Sequence, residues 1–320
     1  MTPRLRPLRS RGSETGHRTM LVQTVLLAAL DGLSYGAQVF LVAVGLSLIF
    51  GVLRIVNVAH GSLYAIGAYV TATSGLLIAA AGWSPWLTYP AMVLSACLVG
   101  IIVGGALEFG LLRRIYDKEQ VLQLLLTFAV FMILEDLQKA VWGVTPFFVN
   151  TPLSLLGTAN ILGINYSIYQ LVVVPLVAVI VFVGLRYVLR HTRIGRIVTA
   201  VADDRETAAA MGVDATRIYL LTFMTGASLA AFGGALASGS TSLVPGMGAG
   251  MIILSFAVAA TAGLGRIEGA AVAALMIGLG RSIAVYIAPE FDAVVPYLIM
   301  FVVLLFKPTG LFSVPQTRKV

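Results

Sequence analysis

An all-α, polytopic transmembrane bundle of about ten helices, within a range of eight to ten, is the fold class this sequence predicts. Three observations predict it. Hydrophobic residues make up 59% of 320 and charged residues only 11%, with a mean hydropathy of +0.96, far outside the half-apolar, quarter-charged balance of soluble domains. Asp, Glu, Lys and Arg are missing from Gly32 to Leu53, Ile55 to Leu107, Ala140 to Leu185 and Ile218 to Gly265. Each interval holds one or two stretches of the roughly 20 residues needed to cross a bilayer core of about 30 Å. Finally, the apolar runs lack the alternation of barrel strands, and backbone in lipid must satisfy its own hydrogen bonds, which leaves helices.

Taken in order, the predicted helices run over 19–34, 36–53, 61–81, 88–112, 120–139, 167–190, 216–238, 251–265, 268–283 and 293–307. The first, fifth, eighth and last are short enough to be half-helices or to lie obliquely. Residues 1–18 read as a retained basic tail, because the segment is too long and too basic for a cleaved signal. Residues 19–307 form one transmembrane domain carrying a loop at 190–217, and 308–320 form a C-terminal tail.

Basic residues set the expected orientation. With both termini in the cytoplasm, inner segments collect all the Lys and Arg except Lys139 and Arg281, as the positive-inside rule requires. Trp83, Trp86, Tyr89, Trp142, Tyr166 and Tyr169 then fall near outer helix ends, where aromatic rings suit the headgroup boundary. The net charge of +7 reports topology and contact with anionic lipid, so no nucleic-acid partner is needed. Cys97, the single cysteine, excludes an internal disulfide and a cysteine metal cluster, and is expected to be a buried thiol.

The longest inner loop, Arg190 to Arg217, carries a helix signature. Asp203 stands as its cap, Glu206 follows three residues on in capping-box position, and Gly212 is the stop. Two turns are marginal in water, so something holds this helix. Ala208 and Met211 lie on one face as a small apolar knob, while Asp203, Asp204, Arg205 and Glu206 supply orienting charge. A helix packed on its own protein satisfies the same spacing, and both readings stay open here.

Glu206, Ala208 and Gly212 resemble the E-A-A-x-x-x-G signature of permeases of ATP-binding cassette (ABC) importers. The stretch Gly195 to Leu236, the string Gly45 to Val70 and the ending Lys307 to Phe312 are similar to blocks of the H-type branched-chain amino acid permeases. Together they cover roughly residues 30 to 312. The resemblance implies a type II importer-like permease of the bacterial plasma membrane, with Asp203, Asp204, Arg205, Glu206, Ala208, Met211 and Gly212 coupling it to an ATPase. It implies two ATP-binding subunits holding ATP and Mg, a paralogous permease chain and an extracytoplasmic solute-binding protein. No cofactor is expected on this chain, and it is not expected to be an enzyme. Ser62, where the family is often acidic, and the turn Gly265 to Gly269, containing Glu268, depart from the pattern, as do Thr222 and Met224.

The remaining polar features have two readings each. Asn57 and His60, in the hairpin between the second and third predicted spans, line an inner mouth or gate, or merely cap a helix and satisfy a carbonyl. Glu108 lies within a turn or so of Arg113 and Arg114, favouring an edge ion pair, and Glu135 with Lys139 has the order of a structural i,i+4 pair. Gly32 with Gly36, and Gly100 with Gly104, suit close helix packing or a subunit interface. Gly246, Gly248 and Gly250 read as an outer loop or a docking surface for a binding protein.

The chain holds no G-x-x-x-x-G-K-[ST] loop, no H-E-x-x-H and no G-x-S-x-G, so ATP hydrolysis would belong to another polypeptide. Branched-chain amino acids are the solutes the resemblance implies. Urea, short amides and aromatic acids are the alternatives within the class. An ion-coupled carrier or channel is the rival class, and it would place an ionisable group near the bilayer centre.

Overall fold

The computed structural model describes residues 11–149, 151–161 and 163–312. Helix α1 (Arg11–Leu53) is followed by a non-helical segment and α2 (His60–Ala80), then by α3 (Thr88–Val99), a π turn at Gly100–Gly104 and α4 (Gly105–Gly110). Helix α5 (Gln120–Trp142), the short α6 (Thr151–Leu155) and an antiparallel hairpin of β1 (Thr158–Ile161) and β2 (Ile164–Ser167) come next. A second π turn opens α7 (Val174–His191), and α8 (Arg193–Asp203) and α9 (Arg205–Ala210) form the long loop. The chain closes with α10 (Ala215–Ala237), α11 (Met247–Ala262), α12 (Ile267–Ile287) and α13 (Val295–Phe306). Among the described residues, seven helices are long and apolar enough to cross a membrane, and α11 and α13 are shorter apolar helices.

One boundary differs from expectation: the first two predicted spans are a single helix. Asp31 and Gly32 suggest a break, yet α1 runs through them unbroken. Two hydroxyls make the charge tolerable, Tyr166 donating to one Asp31 oxygen at 2.6 Å and Tyr286 to the other at 2.5 Å. The neighbouring glycines serve packing, since a Cβ at Gly32 would press on Leu279 and one at Gly36 on the Ala274 carbonyl of α12. Small residues thereby let α1 and α12 touch backbone to backbone. Gly100 and Gly104 do the same against Ser228 and Ala227 of α10.

An unbroken α1 also connects two opposite faces of the described bundle. Asp31 meets the β-hairpin, while Arg54, just past the other end of α1, reaches the Ala202 carbonyl of α8 at 3.5 Å. Twenty-odd helical residues separate these contacts by about 35 Å. At the far end of the sequence, Leu311 and Phe312 donate backbone bonds to Thr261 and Ala262, beside Gly263 at the α11 terminus. The described chain therefore begins, with α1, toward the hairpin face and ends, at Phe312, on the α8–α9 face. Residues 1–10 of the basic tail and 313–320 of the C-terminal tail lie outside the described residues. Two smaller expectations change as well. Cys97 is exposed on α3, not buried. The glycine run is no outer loop: Gly246 (φ +86°) starts α11, and Gly248 packs against the Gly61 backbone of α2.

Candidate functional site

Two features singled out in the sequence share one end of the bundle. The first is α9. Its cap is Asp204, one residue later than predicted, because Asp203 still belongs to α8 and the extended backbone of Asp204 separates the two helices. Asp204 Oδ1 accepts from the N–H groups of Glu206 and Thr207, both at 3.0 Å, and its Oδ2 accepts from the Thr207 hydroxyl at 2.6 Å. Such a cap satisfies donors that the first turn leaves free. Gly212, at φ +86°, ends the helix, with the Val213 N–H returning to the Ala208 carbonyl.

Internal packing supplies the support that two turns need. Ala208 is only 5% exposed and joins Leu112, Ile115, Ala215, Tyr219 and Ile55 in one apolar cluster. Met211 is 81% exposed. The predicted two-residue knob is thus divided: Ala208 anchors α9 to its own chain, and Glu206, Ala209, Ala210 and Met211 remain on the outer surface. Arg205 pairs with Asp117 at 3.5 Å and lies over the Tyr219 ring at 5.3 Å. Behind it, Tyr116 stands edge-on to Tyr219 and donates to Glu108 Oε1 at 2.8 Å. Burial, reinforced by that carboxylate, pushes the Tyr116 hydroxyl far above its usual range. Glu108 is itself buried, and among the described residues it forms no ion pair with Arg113 or Arg114, contrary to expectation. Glu135 and Lys139 do pair, at 3.0 Å.

The second feature is the segment between α1 and α2. Arg54 takes φ +57°, the left-handed conformation that reverses the chain. The backbone then climbs back into the bundle, so that His60, first residue of α2, meets the carbonyl of Val42 at 3.0 Å through Nε2. Val42 lies eleven residues before the end of α1, or about 16 Å along its axis. Since a carbonyl only accepts, Nε2 carries the proton. Thr127 pins the climbing strand, receiving the Val58 N–H and donating to the Val56 carbonyl, each at 3.3 Å. Ser62 donates to the Phe131 carbonyl at 3.3 Å. Asn57 and His60 are fully buried, and Asn57 Nδ2 and His60 Nδ1 have no hydrogen-bond partner among the described residues. A buried polar group left unpaired costs about 1–3 kcal/mol, so this turn is held at an energetic cost.

Ile55 links the two features, because it sits two residues before Asn57 and inside the cluster that anchors Ala208. Tyr219, Ile115 and Thr127, which complete the link, escaped the sequence reading. Only the apolar spacing before Tyr219 hinted at them.

A family described as branched-chain amino acid transport system / permease component matches residues 28–304. The chain belongs to that family. Among its relatives, the high-affinity branched-chain amino acid transport system permease protein BraD of Pseudomonas aeruginosa is 28% identical over 91% of this chain and 96% of its own length. LivH of Escherichia coli K12, with the corresponding description, is 27% identical over 91% of this chain and 96% of its own length. The probable LivH of Methanocaldococcus jannaschii is 28% identical over 88% of this chain and 90% of its own length. Membership of this family makes the chain a multi-pass permease subunit of an ABC transporter.

Proposed function

We propose that this chain is the membrane subunit of an ATP-driven importer for branched-chain amino acids or similar small apolar zwitterions, worked through α8 and α9 by ATPase subunits on separate polypeptides. The observation that carries the reading is the divided character of α9, capped by Asp204 and anchored by Ala208 while Glu206 and Met211 stand free on the surface. A helix braced from within and bare without transmits force from an outside partner to its own core. Ile55 shares that core, so motion of α9 reaches the turn at Asn57 and His60.

Orientation follows from charge. Among the described residues Arg54, Arg113, Arg114, Lys118, Arg186, Arg190, Arg193, Arg196, Arg205, Arg217, Arg266 and Lys307 fall in or beside the segments at the α8–α9 end, the pattern of a cytoplasmic face. The hairpin face would receive solute from an extracytoplasmic binding protein. ATP and Mg would sit on two ATPase chains, and a second permease chain would complete the path. ATP binding biases the bundle between two packings by its differential affinity for them, which is alternating access. Relatives carrying the names BraD and LivH support the solute class.

Purification in mild detergent should bring down a chain with a phosphate-binding loop, and Met211→Asp should abolish solute-stimulated ATPase activity while membrane insertion is retained. Full transport with no ATPase present would contradict the proposal.

A further inference from the structure

A cleft of about 1140 Å³ opens at the α8–α9 face, between the end of α1, the end of α7, α8, the α11–α12 turn and the segment after α13. Neither the coupling helix nor the buried turn accounts for it. Its polar lining is strongly cationic: Arg54, Arg186, Arg190 and Arg266 face two carboxylates, Asp203 and Glu268. Glu268 is shared, lying 2.6 Å from Arg190 and 4.0 Å from Arg186. Among the described residues neither Arg266 nor Arg54 forms an ion pair, and the Arg54 guanidinium donates to the Ala202 carbonyl. Four guanidinium groups thus converge on a cavity with half the negative charge needed to balance them, and guanidinium is the donor best shaped for phosphate oxygens.

The geometry points to an anionic phospholipid in this cleft, its phosphate head held by Arg54 and Arg266 together with the Arg186–Arg190 pair. Helix α7 favours a lipid over a free anion. Val172 in the opening π turn, then Leu176, Val179 and Val183, form an exposed apolar stripe, and at the same helical spacing the next two members are Arg186 and Arg190. The stripe runs from the membrane-exposed side of the bundle straight to the wall of the cleft. An acyl chain on that stripe would bring its head group to the cationic lining. Basic clefts between transmembrane helices on the cytoplasmic side suit anionic head groups in general. Because Val198 and Ala202 of α8 also line the cleft, the bound head group would brace α8 against α7 and α12.

Native mass spectrometry of the full-length chain in detergent, titrated with phosphatidylglycerol, phosphatidylcholine or inorganic phosphate, tests this directly. Phosphatidylglycerol should bind saturably, phosphatidylcholine should not, and excess inorganic phosphate should fail to displace the lipid. Replacing Arg54→Gln and Arg266→Gln together should weaken phosphatidylglycerol binding by at least about tenfold, whereas Arg113→Gln, on the same face but outside the cleft, should leave it unchanged. Arg54→Lys with Arg266→Lys, which keeps the charge, should retain most of the binding and guards against a folding defect. Equal binding of the two lipids, an equal loss in Arg113→Gln, or displacement by inorganic phosphate would each overturn the proposal, the last by assigning the cleft to a soluble anion.

Discussion

At the scale of single residues, neighbouring carboxylates have unlike tasks. Asp204 holds three donors at the start of α9, while Asp203 ends α8 and lines the cationic cleft. Asp204→Ala should cost roughly 1 kcal/mol and speed amide exchange at Glu206 and Thr207; Asp203→Ala should leave those two amides protected. Gly61 permits no side chain, because a Cβ would collide with the Gly248 carbonyl where α2 and α11 begin. Gly61→Ala should lower the thermal midpoint in detergent by several degrees or prevent folding, an overpacking effect of about 1–3 kcal/mol. The stop at Gly212 was legible from spacing alone, whereas the cap lies at Asp204, one residue beyond the predicted Asp203, because α8 runs on through Asp203. For Ala208 spacing left two readings open, and its packing on Ile115 and Tyr219 favours the helix held on its own chain.

Among the elements, α1 shows where local reading fails for a physical reason. A carboxylate between apolar runs, followed by glycines, has the appearance of a loop. What makes it helical is supplied from far away: two tyrosine hydroxyls on β2 and α12 and the small-residue face of α12. Burial first, then the Asp31 carboxylate, keeps the Tyr166 hydroxyl protonated well above its ordinary range. Asp31→Asn should weaken this clamp and accelerate hydrogen exchange across Thr158–Ser167, with Tyr166→Phe having a similar effect and α5 unaffected. Continuity of α1 also makes a topological prediction. In a Cys97→Ser background, Met20→Cys should react with a membrane-impermeant maleimide from the side opposite to Ala209→Cys. Labelling of both from one side would restore a broken α1.

For the whole molecule, the bilayer explains why fold class was readable and wiring was not. Composition and charge-free intervals report the solvent, and lipid leaves helices as the economical solution. They carry no information about which helices touch, how far Asn57 and His60 climb into the bundle, or that Ile55 joins their turn to the anchor of α9. Those facts depend on interlocking small residues and on hydrogen bonds between segments about 70 positions apart, such as Thr127 with Val56. The resulting picture is a lipid-embedded bundle with a short surface helix whose inner face is set in the same apolar cluster as Ile55 of the re-entrant turn.

Crosslinking from Met211→Cys in the Cys97→Ser background, carried out on the detergent-purified assembly with a short bifunctional reagent, tests that picture most directly. The account predicts a covalent product between this chain and a phosphate-loop ATPase, with yield that changes when ATP is bound. A Met211→Cys that never joins the ATPase, while the ATPase crosslinks readily to some other part of the permease, would contradict it.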